Sequence, residues 1–368
     1  MIDWNRWGKI PSNDIEQYPT IIDIIQDIIQ EEESHILNRY PLLHQENVLT
    51  QIMQDGHYLL MASGNANGEV ELMPTSRTPM VFYRGQSEYF PQCLSSLCRE
   101  KDSEKEFLRS RLQTCELRLC LISHPVIWEF INKRFSYDNK LFDIKIPVHL
   151  DGLAQHYGIK TTLLDLTANK WVAAFFATTI YKDGVYSPID TFDINSPKYG
   201  VFYRYRWALP SGDLRNKDVH AIGIQYFNRP GKQSALVIDL QNGKDFNEID
   251  GVERIFFRHD TAVSKLIYDL SLQSRKFFPE DLLATMMSEF LKRSQFSFAA
   301  VELCRTKYYP KHNIEDFCQI LSKYGFTISE QSQLAFKQEV KMKEFEYWNQ
   351  EGRQRYFRQL MVLPLRKF

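Results

Sequence analysis

Five polar residues stand inside one strongly apolar run of this chain. They are Gln155, His156, Asp165, Thr167 and Asn169, within LDGLAQHYGIKTTLLDLTANKWVAAFFATT at residues 150–179. A carboxylate set among apolar residues needs a partner, because an unpaired charge is costly to desolvate. An imidazole titrates near neutrality and can move protons. Outside the run, Arg84 ends a short apolar segment, MVFYR, and Gln233 stands just before the segment ALVID. Two readings of Arg84 and Asp165 are open. They form a ligand-holding site, or they form a buried pair that fixes two strand ends, in which case removing one partner costs roughly 3–5 kcal/mol. His156 is correspondingly a proton carrier or a core histidine bonded to a backbone carbonyl.

These residues have to be positioned by local structure, and the run itself reads as helix, tight turn, strand, cap and helix. Pro147 fits a first helical turn. Leu150, Leu153, Ala154 and Tyr157 recur at helical spacing, and Gly158 suits the left-handed closing position. Thr161–Thr167 reads as a strand, and Thr167 or Asn169 as the cap of the next helix. That helix, Lys170–Ile180, is apolar nearly all round, so burial is expected.

Before the run, Ile21, Ile22, Ile25, Ile28 and Ile29 line one face of an amphipathic helix. A short helix is expected over 46–54. A hairpin is expected between Tyr58–Ala62 and Val70–Met73, around Gly64, Asn65, Asn67 and Gly68. Charged and apolar positions predict a helix over 102–122 and another around 125–135. After the run, 183–197 reads as a polar loop. Tyr199–Trp207 reads as a half-exposed strand, with Val201, Tyr203 and Tyr205 on one face and Phe202, Arg204 and Arg206 on the other. Its arginines and aromatics also suit a nucleic-acid platform. Further strands are expected over 220–227, 234–240 and 252–258, and helices over 261–273, 281–294, 313–324 and 331–350. The tail from Glu351 is basic and aromatic and is expected to dock back on the protein. Short strands broken by few helices suggest an α+β core with a mixed or mostly antiparallel sheet.

A chain of 368 residues is long enough for two domains, or for one large core with an appendage. With 43% hydrophobic and 25% charged residues it has the composition of a soluble globular protein. Twenty-five Phe and 19 Tyr must fill much of the core. The net charge of −1 gives no global attraction to nucleic acid or anionic membrane, leaving local basic sites to be found. The six cysteines contain no Cys-x-x-Cys pair; Cys115, Cys120 and His124 give a weak metal pattern, and buried reduced thiols are expected. The N-terminal segment lacks the charged start and apolar run of a secretory signal, and no stretch approaches the roughly 18 apolar residues that span a membrane. A cytoplasmic protein is expected.

Four blocks together carry a family resemblance. VFYRGQSEYFPQCLSSLCR resembles the opening motif of the FRG domain, and the run at 150–179 is similar to its second motif. NRPGKQSALVIDL and KLIYDLSLQSRKFFPEDL resemble its third and closing blocks. Thr162 stands where that family commonly has Arg, and Leu166 where it commonly has Trp. The resemblance implies an FRG domain over 76–285, a helical N-terminal extension over 1–75 and a helical C-terminal appendage over 286–368.

A more distant resemblance is to ADP-ribosyltransferases of the Arg-Ser-Glu type, which implies an α+β fold of that kind, with NAD as substrate and no metal. Tyr83, Arg84, Gly85, Gln155, Thr167 and Asn169 would hold the dinucleotide. The Arg fork would grip ribose or pyrophosphate by charge-assisted hydrogen bonds. Arg84, His156, Asp165 and Gln233 would form the catalytic set. Gln233 stands where that family has its catalytic Glu, and Gln can neither take a proton nor carry a charge. The acceptor would be a protein or nucleic acid, and the setting a bacterial toxin or anti-phage effector. The alternatives are a non-enzymatic nucleotide- or nucleic-acid-binding module, and a scaffold acting through its helical tail.

Overall fold

A computed structural model describes residues 3–11, 15–39, 57–62, 70–74, 81–99, 104–133, 135–137, 142–145, 148–206, 219–222, 226–240, 243–359 and 361–363. Fifteen strands appear among these residues. They are β1 (His57–Ala62), β2 (Val70–Pro74), β3 (Val81–Gln86), β4 (Phe135–Tyr137), β5 (Phe142–Lys145), β6 (Leu163–Thr167), β7 (Thr179–Lys182), β8 (Val185–Pro188), β9 (Tyr199–Arg206), β10 (Val219–Ala221), β11 (Ala235–Asp239), β12 (Val252–Arg258), β13 (Gln295–Ser297), β14 (Thr327–Ser329) and β15 (Met361–Leu363). The central sheet has the order β10-β11-β6-β3-β9-β12, and every neighbouring pair in it is antiparallel. The fold is α+β around this antiparallel sheet.

One face of the sheet is covered by the helix Lys170–Thr178. Its Val172, Ala173, Ala174, Phe175 and Ala177 are buried against Tyr83 and Phe202. The Asn169 side chain caps it by accepting from Trp171 N at 2.8 Å, which satisfies one of the free amides of the first turn. Alanines on this face let the helix lie close to β3. A Cβ built on Gly85 would fall 1.9 Å from the Ala173 carbonyl oxygen. The helix Ile21–Arg39 packs on the same layer through Ile21, Ile24, Ile25 and Ile28. The other face of the sheet is packed by Phe82, Leu164, Leu166, Tyr203 and Phe246.

The strand β9 departs from the half-exposed expectation. Residues 200–205 are all buried, because both faces of the sheet are covered at that strand. Arg204 is 4% exposed. It bonds Glu31 and Glu253 and lies under the Trp4 ring, 3.9 Å from its centroid. It is therefore held within the protein and is not displayed to a nucleic acid. Trp207 lies outside the described residues.

The chain leaves the central helix two residues earlier than expected and enters a hairpin, β7–β8, in what reads from sequence as a loop. Asp183 (φ 51°) and Gly184 (φ 86°) make its turn. An Asp-Gly pair between short apolar runs is the ordinary signal for such a turn. The hairpin β1–β2 is present as expected, and its turn residues lie outside the described ones, as do 46–54 and Pro147. β1 and β2 belong to a second, mixed sheet of order β15-β1-β2-β5-β4. The tail does return to the protein, since β15 pairs in parallel with β1.

The C-terminal helices share one core with the earlier chain. Leu108, Leu112, Leu153 and Tyr157 pack with Leu283, Phe290, Phe296, Phe317 and Phe336. Glu116, 0% exposed, seals this junction. One of its carboxylate oxygens accepts from the Ser297 amide and hydroxyl, and the other from Ser332 Oγ and the Gln333 amide, all at 2.8–2.9 Å.

Two histidines, His259 buried and His149 partly buried, make this fold acid-sensitive. Burial lowers the His259 pKa to about 4, against the opposing pull of its bond to the Ser87 carbonyl at 2.8 Å. His149 is likewise lowered to about 4 by burial and then by its stacked neighbour His220. Unfolding restores an ordinary pKa near 6.5, so the unfolded chain takes up protons that the folded chain refuses. Stability is thus fully present above pH ~6.5 and falls as pH drops toward 4. The His259 contribution is about 3 kcal/mol at full effect. Urea midpoints measured from pH 7 to pH 4.5 should show this decline. His259→Gln should flatten it; an equally steep decline in that variant would discount His259.

Candidate functional site: a cleft where the central strands part

The site begins at an irregularity in the sheet. β3 and β6 are neighbours, yet Tyr83 opposite Thr167 is the one residue pair joining them. By contrast, β3 runs in register with β9 from Val81 to Gln86, and β6 with β11 from Leu163 to Thr167. Past Tyr83 the two central strands separate. Arg84 spans the gap, its Nη1 donating to the backbone carbonyl of Asp165 at 2.8 Å. A cleft of about 230 Å³ opens there, lined by Arg84, Gln155 and Asp165 together with Ser96, Arg99 and Lys160.

The Asp165 side chain is 47% exposed. Its Oδ1 accepts from Gln155 Nε2 at 2.7 Å and lies 3.7 Å from His156 Nε2. Gln155 is itself oriented, because its Oε1 accepts from the Thr161 hydroxyl. A carboxylate held this way has a fixed direction while one side of it still meets solvent. The pairing of Arg84 with Asp165 thus differs from both sequence readings. The guanidinium takes the backbone carbonyl and leaves the carboxylate hydrogen-bonded to Gln155, with His156 nearby. Arg84 Nε is buried and has no hydrogen-bond partner among the described residues. A buried donor left unpaired is unfavourable by about 1–3 kcal/mol, so an acceptor at that place would be well received.

His156 stands behind Asp165, with its side chain 5% exposed. Burial holds its pKa below the usual histidine value; Asp165 pulls it back up, Arg229 lowers it further, and a bond with Gln233 raises it. Gln233 is 5% exposed, and its Nε2 donates to the Phe277 carbonyl at 3.1 Å. His156 neighbours both Gln233 and Asp165, but neither His156 nor Gln233 lines the cleft.

Four of the expected dinucleotide-holding residues have structural partners instead. The Tyr83 hydroxyl donates to Glu32 Oε1 at 3.2 Å in the buried layer. Gly85 permits the close approach of the central helix. Thr167 Oγ1 donates to the Gln233 carbonyl at 2.6 Å and accepts from the Asn169 amide at 2.9 Å. Asn169 is the helix cap. The closing Phe-Pro block is also structural at its acid. Asp281 caps the helix Leu282–Phe290 through Ala284 N and takes the Tyr157 hydroxyl at 2.6 Å.

Ser96, Arg99 and Lys160 were not singled out by sequence. The available signal was weak: one cation near the end of the first motif, and one in the turn before the Leu-Leu-Asp strand. Among the described residues no group of three or more His, Cys, Asp or Glu is arranged to hold a metal ion. Cys115 and Cys120 are free thiols, and His124 bonds Glu344 Oε2 at 2.6 Å. No helix among the described residues is long and apolar enough to cross a membrane.

An antiparallel sheet whose two central strands part around an Arg, a Gln and an Asp defines the site in structural terms. Residues 79–184 match the FRG domain, so the chain carries that domain over the segment holding Arg84, Gln155, His156 and Asp165. No curated protein matches the chain, and no solved structure does.

Proposed function

We propose that the protein is an ADP-ribosyltransferase-like enzyme that uses NAD in this cleft. The observation that carries the reading is the pairing, in one cleft, of an Arg whose buried Nε has no partner among the described residues and an oriented carboxylate open to solvent. Arg84 holds the dinucleotide, and Asp165 faces the nicotinamide ribose. The bond from ribose C1′ to the nicotinamide nitrogen breaks, and its electron pair leaves with neutral nicotinamide. Asp165 stabilises the positive charge that develops at C1′. An acceptor nucleophile then bonds to C1′ and gives up its proton, completing the exchange of NAD and acceptor for ADP-ribosyl-acceptor, nicotinamide and H⁺. His156 keeps Asp165 in place from behind. A bacterial toxin or anti-phage role is the setting that accords with an FRG domain joined to such chemistry.

Nicotinamide release and transfer of labelled ADP-ribose to lysate components test this directly. Asp165→Asn keeps the size of the side chain and an oxygen for Gln155. It is expected to lower nicotinamide release by about 100–1,000-fold, the range for losing one transition-state-stabilising group. Wild-type protein that neither releases nicotinamide nor transfers label would end the transferase reading.

The position of Gln233 favours a second reading, a module that binds a nucleotide without turnover. No carboxylate stands at that position, and the Gln is buried against Phe277. A thermal shift on adding NAD, with no nicotinamide released, would decide for it.

A further inference from the structure

Three cations line the cleft, and they come from three segments of the chain. Arg84 ends β3, Arg99 follows in the segment after it, and Lys160 sits in the turn before β6. Among the described residues Asp165 is the one carboxylate in that lining. Cations brought to one place from separate segments offer a single anionic ligand several charge-assisted contacts.

The two segments that carry Arg99 and Lys160 are tied together by backbone and hydroxyl bonds. Leu97 N donates to the Thr161 carbonyl at 3.1 Å, and Thr161 N donates to Ser96 Oγ at 3.2 Å. The Ser110 hydroxyl donates to the Lys160 carbonyl. The stems of the two cations are therefore fixed beside each other on one wall. Arg84, in the same lining, has a buried Nε with no hydrogen-bond partner among the described residues. The volume of about 230 Å³ is below the roughly 300–1,000 Å³ of sites that enclose a drug-sized ligand. A space of that order suits the diphosphate portion of a dinucleotide.

We propose that Arg99, Lys160 and Arg84 form a diphosphate grip, so that the cleft selects pyrophosphate-linked nucleotides over nucleosides. This deepens the NAD reading and rests on it for the identity of the nucleotide. Arginine forks and a lysine ammonium suit phosphate oxygens, the first by paired bonds and the second as a point charge. Arg99 and Lys160 are specificity-determining residues here. They hold the phosphates while Asp165 faces the reacting sugar carbon.

The test uses the full chain and titration calorimetry with ADP-ribose, inorganic pyrophosphate, adenosine and nicotinamide riboside. ADP-ribose and pyrophosphate are expected to bind, and to weaken as salt is raised. Both nucleosides are expected to bind at least about 100-fold more weakly than ADP-ribose, the product of roughly tenfold from each of two charge-assisted contacts. The double variant Arg99→Gln/Lys160→Gln should lose at least about tenfold in affinity for ADP-ribose and pyrophosphate. A circular dichroism spectrum and melting point matching wild type confirm that the variant folds. If it does not fold, the ligand series on wild-type protein still decides. Nucleosides binding as tightly as ADP-ribose, absence of pyrophosphate binding, or a folded double variant with unchanged affinities would each overturn the grip. The two proposals fail separately. Pyrophosphate bound without NAD cleavage keeps the grip and ends the transferase. NAD cleavage unaffected by the double variant, with the riboside cleaved as fast, keeps the transferase and ends the grip.

Discussion

A Glu32→Ala variant is expected to lose about 3–5 kcal/mol of folding stability. Glu32 is 1% exposed and Lys170 2%. Lys170 Nζ donates to Glu32 Oε2 at 2.9 Å, and the Tyr83 hydroxyl donates to the other oxygen at 3.2 Å. The position of the lysine adds to the effect. It lies in the first turn of the central helix, where the free amides already gather positive partial charge. Deleting the carboxylate removes the compensation for an ammonium held in an apolar layer. Urea denaturation at pH 7 measures the loss, and a loss under about 1 kcal/mol would show that water or a neighbour readily replaces Glu32. The double variant Glu32→Gln/Lys170→Met separates charge from packing. Since apolar replacement of a whole buried pair is often nearly neutral, the double variant should recover most of what the single one loses.

The second large effect is expected at Gly85. Its added Cβ would meet the Ala173 carbonyl oxygen at 1.9 Å, the Ala173 carbonyl carbon at 2.8 Å and Ala177 Cβ at 2.7 Å. Two of these are backbone atoms, so no change of rotamer relieves the overlap. The helix must lift from β3, which opens the layer around Phe175 and Tyr83. Overpacking a core typically costs about 1–3 kcal/mol. With backbone as the obstacle, Gly85→Ala is expected at or above the top of that range. Because Arg84 is the adjacent residue, ligand binding should fall along with stability. A Gly85→Ala protein with wild-type melting temperature would mean that helix and strand are less closely coupled than their geometry indicates. The Tyr-Arg-Gly motif thus divides its roles. Its outer two residues hold layers together, and its middle one turns toward the cleft.

Much of the site's framework was legible because it rests on residue types with strong local meaning. Asn169 as cap, the all-round apolar helix and the Leu-Leu-Asp strand follow from periodicity and capping chemistry. The partner of Arg84 was not legible. It is a backbone carbonyl, and every residue carries one, so sequence pointed to the nearest charged side chain instead. Alternation in β9 suggested one wet face, because the pattern cannot register that Glu31 and Trp4, distant in sequence, cover Arg204. Thr167 has the hydroxyl expected of a ribose site and Gln233 the amide expected to face an acceptor, yet the first donates to the Gln233 carbonyl and the second to the Phe277 carbonyl. The cations of the cleft wall were missed for a related reason. Arg99 and Lys160 are about 60 residues apart in sequence, and their common location appears once the chain has folded.

The N-terminal helix and the helices after 285 contribute to the same cores as the middle of the chain. Side chains that bury a boundary leave no local mark at the boundary itself.

The single contact between β3 and β6 has a bearing on how the molecule is made. These are the strands of the central sheet within residues 79–184, and one residue pair joins them. Their principal partners, β9 and β11, are encoded later. A fragment cut to 79–184 should therefore behave as an unfolded chain. During synthesis β3 cannot be secured until the ribosome has passed residue 206, nor β6 until it has passed residue 239, and Glu116 waits for residues 297–333. Most of the ordering entropy must be met by contacts distant in sequence, which makes for slow folding. The cleft exists as a product of nearly complete translation, and a chain interrupted midway would carry its motifs without their geometry.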